Sequence, residues 1–180
     1  MTSRFRVAAT TPLLHSAVFD VERRVIVGAD PPFERDVVVH AGAVAVVAVD
    51  ELDRVGVIRQ YRAPFDRVTY EIPAGTLDHP GESALAAAKR ELLEEMGCRA
   101  SRWRRLGRFM VSPGWTDQVM TIYEARALVI GPRHPEGPEE EQSRVAWLTP
   151  DEVARLLAGS QPVDATLALG VLQVSRGRAH

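Results

Sequence analysis

Valine-rich stretches separated by polar turns are the first pattern in the chain, and they predict a sheet. Three stretches rich in β-branched residues are typical of strands, at residues 37–39, 43–49 and 55–61. An earlier stretch, residues 16–27, mixes valines with charges and predicts one or two more strands before the turn sequence Asp30-Pro31-Pro32. The pattern therefore predicts a sheet with a buried centre early in the chain.

A change of pattern after these strands predicts a helix and then elements of both types. Residues 82–96 contain neither glycine nor proline, are rich in helix-forming residues and are followed by Gly97, which is typical of a helix end. The other predicted elements are strands at 70–75, 103–111, 119–128 and 145–148, helices from Thr149 or Asp151 through Leu157 and at 164–174, and a loop rich in Pro, Gly and Glu at 131–142. No internal repeat or long linker divides this series, so we expect one domain.

Composition and charge narrow the class of protein. The 180 residues, 46% hydrophobic and 26% charged, suit a globular domain with an apolar core. Cys98 is the single cysteine, which excludes an internal disulfide. The net charge of −2 argues against a nucleic-acid partner, and no apolar run reaches the roughly 20 residues of a membrane-spanning helix. We expect a cytoplasmic protein with no nucleic-acid or membrane partner.

Three glutamates share one arc of the predicted helix. At about 100° per residue, Glu91, Glu94 and Glu95 lie beside a separate apolar stripe. Glu91 and Glu95 form a like-charge pair four residues apart, and all three acids lie near the negative end of the helix dipole, at a cost of a few tenths to about 1 kcal/mol each. The apolar stripe contains Leu85, Ala88, Leu92 and Met96. Unfavourable placements of charge on a helix, such as those of the three glutamates, occur most often at functional sites.

A hard divalent cation would turn the repulsion between these carboxylates into attraction. Mg²⁺ takes oxygen ligands, and its usual partners are a few carboxylates together with substrate phosphates, with Mn²⁺ as the alternative ion. The competing interpretation is a solvated helix end, in which Lys89 and Arg90 supply the counter-charges. The helix alone does not decide between the two.

The residues around this helix resemble the signature of the Nudix family, which is a glycine loop, a glutamate and an Arg-Glu-hydrophobic-X-Glu-Glu-X-Gly run. The matching residues are Gly75, Glu82, Arg90, Glu91, Leu92, Glu94, Glu95, Gly97 and Cys98. Six residues separate Gly75 from Glu82, one more than is usual in the family. This insertion lengthens the loop and leaves the helix spacing intact.

The resemblance implies a fold of the α/β (α+β) class, an α/β/α sandwich with a mixed β-sheet between helices. It also implies a hydrolase of nucleoside diphosphates linked to another group. Glu91 and Glu95 would be catalytic and would bind the metal, together with Glu94 and the carbonyl oxygen of Ala74. The residues with a structural role in the signature would be Gly75, Glu82, Arg90 and Gly97.

Two further segments resemble the ADP-ribose pyrophosphatase branch of the family. Arg59-Gln60-Tyr61-Arg62 precedes the signature, and its guanidiniums can bind phosphate or carboxylate oxygens. Ser112-Pro113-Gly114-Trp115 follows it, and the tryptophan can stack on a base or ribose, although Gln118 stands where the branch usually has a glutamate. Taken alone, these are also the residues of a soluble edge strand and an ordinary turn. The predicted substrate-binding residues are Arg59, Gln60, Arg62, Glu71, Pro113, Gly114 and Trp115.

The general base is predicted in an acidic loop, at Glu139, Glu140 or Glu141. Relatives carry a catalytic or metal-binding glutamate in this loop, and a mobile carboxylate that closes over the substrate would accept the proton of the attacking water. A solvated run of charges is the alternative. We rank Glu140 and Glu141 narrowly above Glu139.

These features together predict a Mg²⁺-dependent Nudix hydrolase that cuts the pyrophosphate of ADP-ribose, or of a close relative, to AMP and ribose 5-phosphate. The alternative substrates are NADH, nucleotide sugars and dinucleoside polyphosphates. A nucleotide sensor without activity is less favoured, because the residues after Thr149 are too few for a DNA-binding domain. Residues 41–180 are predicted to form the Nudix domain, and residues 1–40 strands that are exchanged with the partner subunit of a homodimer.

Overall fold

A computed structural model describes residues 3–135 and 137–177 of the chain. The strands are β1 (Arg6–His15), β2 (Asp20–Val27), β3 (Phe33–Val39), β4 (Ala43–Ala48), β5 (Val55–Arg62), β6 (Arg67–Glu71), β7 (Ala74–Thr76), β8 (Cys98–Met110), β9 (Val119–Ile130) and β10 (Arg144–Leu148). The helices are α1 (Ala84–Met96), α2 (Pro138–Glu141), α3 (Pro150–Ala158) and α4 (Ala165–Arg176). The chain divides into two compact units, the first made of residues 3–43 and 109–120 and the second of residues 44–108 and 121–177.

The first unit contains the antiparallel sheet β1-β2-β3. The stretch 16–27, predicted as one or two strands, forms the single strand β2. β1 is a strand that the sequence pattern did not predict, because its residues are all exposed and show no hydrophobic alternation. Its pairing with β2 shifts register between Pro12 and Leu14, which lets the sheet accommodate a proline.

The second unit contains two sheets, with strand orders β7-β4-β9-β8 and β10-β5-β6. β4 is buried along its whole length. Its alternate side chains Val44, Val46 and Ala48 belong to the apolar cluster that also includes Leu92 and Met96 of α1. The apolar stripe predicted for this helix is therefore packed against the sheet.

Helix α4 lies on the other face of the same strand. A Cβ placed on Gly170 would lie 2.7 Å from Val47 Cγ2 and 3.3 Å from Ile72 Cδ1, so the backbone of α4 comes very close to the sheet. The second unit is thus layered, with α1 and α4 on opposite faces of β4.

Two helix boundaries sharpen or correct the sequence prediction. α1 begins at Ala84, two residues later than predicted, because the Ser83 side chain caps it by accepting a hydrogen bond from the Ala86 amide at 3.2 Å. Thr149 rather than Asp151 caps α3, through a reciprocal capping box with Glu152.

The predicted loop at 131–142 was wrong in part, because it contains the short helix α2. Pro138 is already fixed in a helical φ at the first position, and three glutamates in the first turn favour the positive end of the helix dipole. Within the residues that the structure describes, no helix has both the length and the apolar character needed to span a membrane.

Candidate active site

Helix α1 buries two of its glutamates against strand β7. Glu91 is 7% exposed and Glu95 is 4% exposed. The Ala74 amide donates a hydrogen bond of 2.8 Å to Glu95 Oε2. The Glu91 carboxylate lies so close to Gly75 that a Cβ on this glycine would overlap it. The glycine is therefore required because the acid occupies the space where a side chain would be.

Both buried carboxyls hold their protons unusually tightly. The pKa of Glu95 is raised to about 8, chiefly by burial and also by the charges of Glu91 and Glu140, against the hydrogen bond from the Ala74 amide. The pKa of Glu91 is raised to about 7, again chiefly by burial, while the Arg90 charge opposes the rise and the Glu94 charge adds to it. Without a cation, the site thus disfavours the ionised forms of both acids.

One guanidinium forms hydrogen bonds with three glutamates of the candidate site. Arg90 donates hydrogen bonds to Glu82 at 3.2 and 3.3 Å, to Glu91 at 2.6 Å and to Glu94 at 2.9 Å. These acids raise the pKa of Arg90 beyond its ordinary value even though burial acts to lower it. The Glu82–Arg90 pair links the loop before α1 to the helix.

The donor set suits a hard divalent cation. In the described conformation, no group of three or more His, Cys, Asp or Glu side chains is already arranged as a metal site. Arg90 binds oxygens of Glu91 and Glu94, and the Ala74 amide binds Glu95. Even so, the predicted ligands are oxygen donors, and a cation would offset both the burial and the carboxylate repulsion that raise the pKa values of Glu91 and Glu95. The residues fit such an ion.

Of the three candidate bases, Glu140 is the one whose charge reaches both buried acids. It raises the pKa values of Glu91 and Glu95, and it is half-buried, whereas Glu139 and Glu141 are exposed. The hydrogen bond to Asp66 is the main cause that raises the pKa of Tyr61, and the charge of Glu139 adds to this rise. Helix α2 therefore brings Glu140, rather than its two neighbours, towards the carboxylates of α1.

Strands β5 and β6 bring Gln60, Arg62 and Glu71 to one face of their sheet, whereas Arg59 lies on the opposite face with Tyr70. Arg62 donates to both carboxylate oxygens of Glu71, at 2.6 to 3.1 Å. Burial acts to raise the pKa of Glu71, but hydrogen bonds from Arg62 and Thr69 outweigh it, and the pKa is lowered. Gln60 is buried, and the Arg59 guanidinium lies 5.5 Å from the centre of the Tyr70 ring.

A cavity of about 280 Å³ adjoins the Arg62–Glu71 pair. Thr69 and Asp164 also line it, and sequence reasoning missed both. No local pattern could have paired them, because they lie far apart in the chain. The positive charge of Arg62 also acts to lower the pKa of Glu95, which connects this cavity electrostatically with the acids of α1.

The three remaining predicted substrate-binding residues lie in the first unit. Trp115 is 56% exposed, and its amide donates to the Ser112 carbonyl at 3.1 Å in a turn. Pro113, Gly114 and Trp115 line a groove of about 460 Å³ together with residues of β2 and β3 that include Arg24 and Arg35. These two arginines were not predicted as candidate binding residues.

Comparison with known proteins decides the family. Residues 39–168 match the NUDIX domain. The chain belongs to the Nudix family. The prediction of a Nudix hydrolase is therefore confirmed, and the matched range includes the acids of α1 and the acidic helix α2.

Individual Nudix relatives support the same assignment. An ADP-ribose pyrophosphatase of Mycobacterium tuberculosis is 37% identical over 140 residues, which cover 78% of this chain and 68% of the relative. An ADP-ribose pyrophosphatase of Bacillus subtilis is 33% identical over 138 residues, which cover 77% of this chain and 74% of the relative. A crystal structure of an ADP compounds hydrolase superposes with a TM-score of 0.81 at 23% identity, over 99% of this chain and 96% of the other. This last match confirms the predicted fold class.

Proposed function

We propose that this Nudix hydrolase cuts the pyrophosphate bond of ADP-ribose, or of a closely related nucleoside diphosphate derivative, to give AMP and ribose 5-phosphate. The observation that carries the proposal is the pair of buried acids, Glu91 and Glu95, whose pKa values are raised by burial and by neighbouring carboxylates. The substrate class is supported by the two ADP-ribose pyrophosphatases that share about a third of their aligned residues with this chain.

We propose Mg²⁺ as the metal, with Mn²⁺ as the alternative. Glu91, Glu94, Glu95 and the Ala74 carbonyl would hold it. When bound, the ion withdraws charge from the diphosphate and lowers the pKa of a coordinated water. Glu91 and Glu95 would then be ionised at neutral pH, and Arg90 would keep the Glu94 carboxylate in place beside them.

Glu140 is our candidate for the general base. Its charge acts on both buried acids, so it belongs to the same electrostatic site without being on the same helix. It would accept the proton from the attacking water. Glu139 and Glu141 are the alternatives, and replacing each of the three glutamates by glutamine in turn identifies the base.

The substrate would be held by Arg59, Gln60, Arg62 and Glu71, with Pro113, Gly114 and Trp115 contributing from their turn. Glu71 binds Nε and Nη2 of Arg62, which leaves Nη1 as the nitrogen that we propose for a phosphate or ribose oxygen. Glu71 thereby fixes the plane of the guanidinium. The proposed contacts for the turn are with the base or ribose.

We further propose that the protein is a cytoplasmic homodimer whose strands from residues 1–40 are exchanged between subunits. Gel filtration at several concentrations tests the assembly. A species larger than a single 19.8 kDa chain is expected. Elution as a single chain at every concentration would remove the dimer from the proposal.

The substrate is tested with a panel of compounds assayed with Mg²⁺. ADP-ribose is compared with NADH, nucleotide sugars and dinucleoside polyphosphates, and the products are separated by chromatography. AMP and ribose 5-phosphate are expected from ADP-ribose. A kcat/KM about tenfold higher for another compound would overturn the choice of ADP-ribose.

A further inference from the structure

The segment that leads from β9 towards α2 is fastened to the end of helix α1. The Gly131 amide donates to the Gly97 carbonyl at 2.7 Å, and the His134 amide donates to the Glu94 carbonyl at 3.0 Å. Gly97 has φ +66° and closely approaches the backbone of Gly131 and Pro132. The backbone of Arg133, which lies between these two hydrogen bonds, is therefore held against the helix that carries the acids.

The side chain of Arg133 binds the segment that follows α2. Its Nη1 donates to the Ser143 carbonyl at 3.0 Å, and its Nη2 donates to the Glu140 carbonyl at 3.2 Å and to Ser143 Oγ at 2.5 Å. The Ser143 hydroxyl in turn donates to the Glu140 carbonyl at 2.7 Å. The Ser143 amide also donates to this carbonyl at 3.0 Å, so Arg133 and Ser143 together bind the carbonyl of the candidate base.

These contacts matter because α2 cannot hold its own position. It has four residues, far fewer than the roughly 12 to 15 that an isolated helix needs, and none of them is buried. Ser143 is 6% exposed and precedes β10, whose first residue Arg144 pairs with Arg59 of β5. A fixed arginine on one side and a buried serine on the other therefore determine where the Glu140 backbone lies.

We infer that Arg133 is a positioning residue that holds the backbone of Glu140 so that its carboxylate faces the acids of α1. The inference rests on the proposed function, in which Glu140 is the base. Arg133 acts through the Glu140 carbonyl and through Ser143. Among the residues that the structure describes, its side-chain hydrogen bonds are to the Glu140 carbonyl and to Ser143, and this assignment gives it no contact with the substrate.

A double-mutant cycle tests whether Arg133 acts through Glu140. Arg133→Gln should lower kcat by about ten- to hundredfold with KM within about twofold, because displacing a catalytic group by about 1 Å has effects of this size. Glu140→Gln should lower kcat by at least about a hundredfold. The double variant should be no slower than Glu140→Gln alone. Independent, multiplicative losses, or a kcat of Arg133→Gln within about twofold of the wild type, would overturn the inference.

Two further variants separate positioning from a general loss of stability. Arg144→Gln is the matched control, since Arg144 is an exposed arginine next to Ser143, and its kcat should be unchanged. Ser143→Ala keeps the bonds from Arg133 to both carbonyls and should lower kcat by only about threefold. If Arg133→Gln does not fold, Arg133→Lys replaces it in the cycle, because an ammonium retains the charge but lacks the planar fork of two nitrogens that binds both carbonyls.

Amide hydrogen exchange tests the same inference without any substrate. Arg133→Gln should speed exchange in residues 138–143 while leaving α3 unchanged, and equal exchange in both proteins would overturn the inference.

If the wild type prefers another nucleotide, ADP-ribose is the wrong substrate and the cycle is run with the preferred one. If the wild type cleaves none, the proposed function fails, while exchange still decides whether Arg133 holds α2.

Discussion

Two regions of the second unit bury a carboxylate to almost the same extent but shift its pKa in opposite directions. Glu124 is 6% exposed and Glu95 is 4% exposed. Glu124 accepts hydrogen bonds from Arg104 at 2.8 Å and from Arg126 at 2.7 Å, and these bonds outweigh burial and lower its pKa. Burial instead dominates at Glu95 and raises its pKa to about 8.

The difference lies in how many guanidiniums serve each acid. At Glu124, Arg104 and Arg126 both contact the carboxylate, and Arg126 also contacts Asp53. At the candidate active site, Glu95 accepts a hydrogen bond from the Ala74 amide, and the nearby Arg90 guanidinium is shared by Glu82, Glu91 and Glu94. A buried acid that guanidiniums neutralise is typical of a structural role, whereas buried acids with raised pKa values are typical of functional sites, where a bound cation would favour their ionised forms.

Replacing Glu95 should have the largest effect. Glu95→Gln should lower kcat by about a hundred- to a thousandfold, because it removes a charged group at the reacting centre while preserving volume. Glu124→Gln, at equal burial, should leave kcat of the folded protein within about threefold. Initial rates with saturating Mg²⁺ measure both. Equal losses in the two variants would mean that burial, rather than unneutralised charge, identifies the important acid.

Filling the space at Gly75 should have the next largest effect. Gly75→Ala places a Cβ where the Glu91 carboxylate lies and should lower kcat by about ten- to hundredfold. Titration calorimetry should show weaker Mg²⁺ binding in parallel. Gly131→Ala is the control, because its new Cβ would come no closer than 3.6 Å to the Gly97 oxygen. Normal Mg²⁺ binding by Gly75→Ala would show that metal binding does not depend on the observed position of the Glu91 carboxylate.

The free energy of unfolding should rank the variants of Glu124 and Glu95 in the opposite order from kcat. Glu124→Gln should lower the free energy of unfolding by about 2 kcal/mol, because the guanidiniums lose a charged acceptor. Glu95→Gln should cause no loss in metal-free buffer, since it removes a buried carboxyl whose ionised form is disfavoured. Urea unfolding at neutral pH measures both. A larger loss for Glu95→Gln would contradict the distinction drawn between the two regions.

The pH dependence of stability has a definite sign. The folded state raises the pKa of Glu91 to about 7 and of Glu95 to about 8, so between about pH 4.5 and pH 8 it binds more protons than the unfolded chain. Metal-free stability should therefore fall as pH rises through this window, by on the order of a few kcal/mol, since each pKa unit corresponds to about 1.4 kcal/mol.

Unfolding in urea at about pH 5 and about pH 8 measures this change. Glu71 and Glu124 have lowered pKa values, so their stabilisation is lost only below this window. The double variant with Glu91→Gln and Glu95→Gln should show a flatter profile, as should the wild type with Mg²⁺. A metal-free stability that rises towards pH 8 would contradict the raised pKa values.

The elements with strong local signals were predictable from the sequence. Helix α1 follows from its apolar stripe and from Gly97, and β4 follows from its run of valine and alanine. β1 was missed because none of its residues is buried, so its pairing with β2 left no hydrophobic alternation to recognise. Helix α2 was missed because four residues rich in proline and glutamate are also typical of a solvated loop.

The candidate site was predictable as a set of residues but not as a geometry. Spacing placed Glu91 and Glu95 together, yet nothing local showed that both are buried. The three successive glutamates of α2 could not be separated by sequence, because which of them turns inward depends on Arg133 and Ser143. Such long-range contacts have no signature in the pattern along the chain.

Gly170 determines how closely helix α4 packs against the sheet of the second unit. The missing side chain sets how near α4 comes to Val47, and the capping residue Asp164 and the first residue Ala165 of α4 line the cavity beside Arg62. A larger residue at this one position would push the helix outward and widen that cavity without replacing any residue that lines it. The size of molecule accommodated there can therefore change through a single substitution on the reverse side of the sheet.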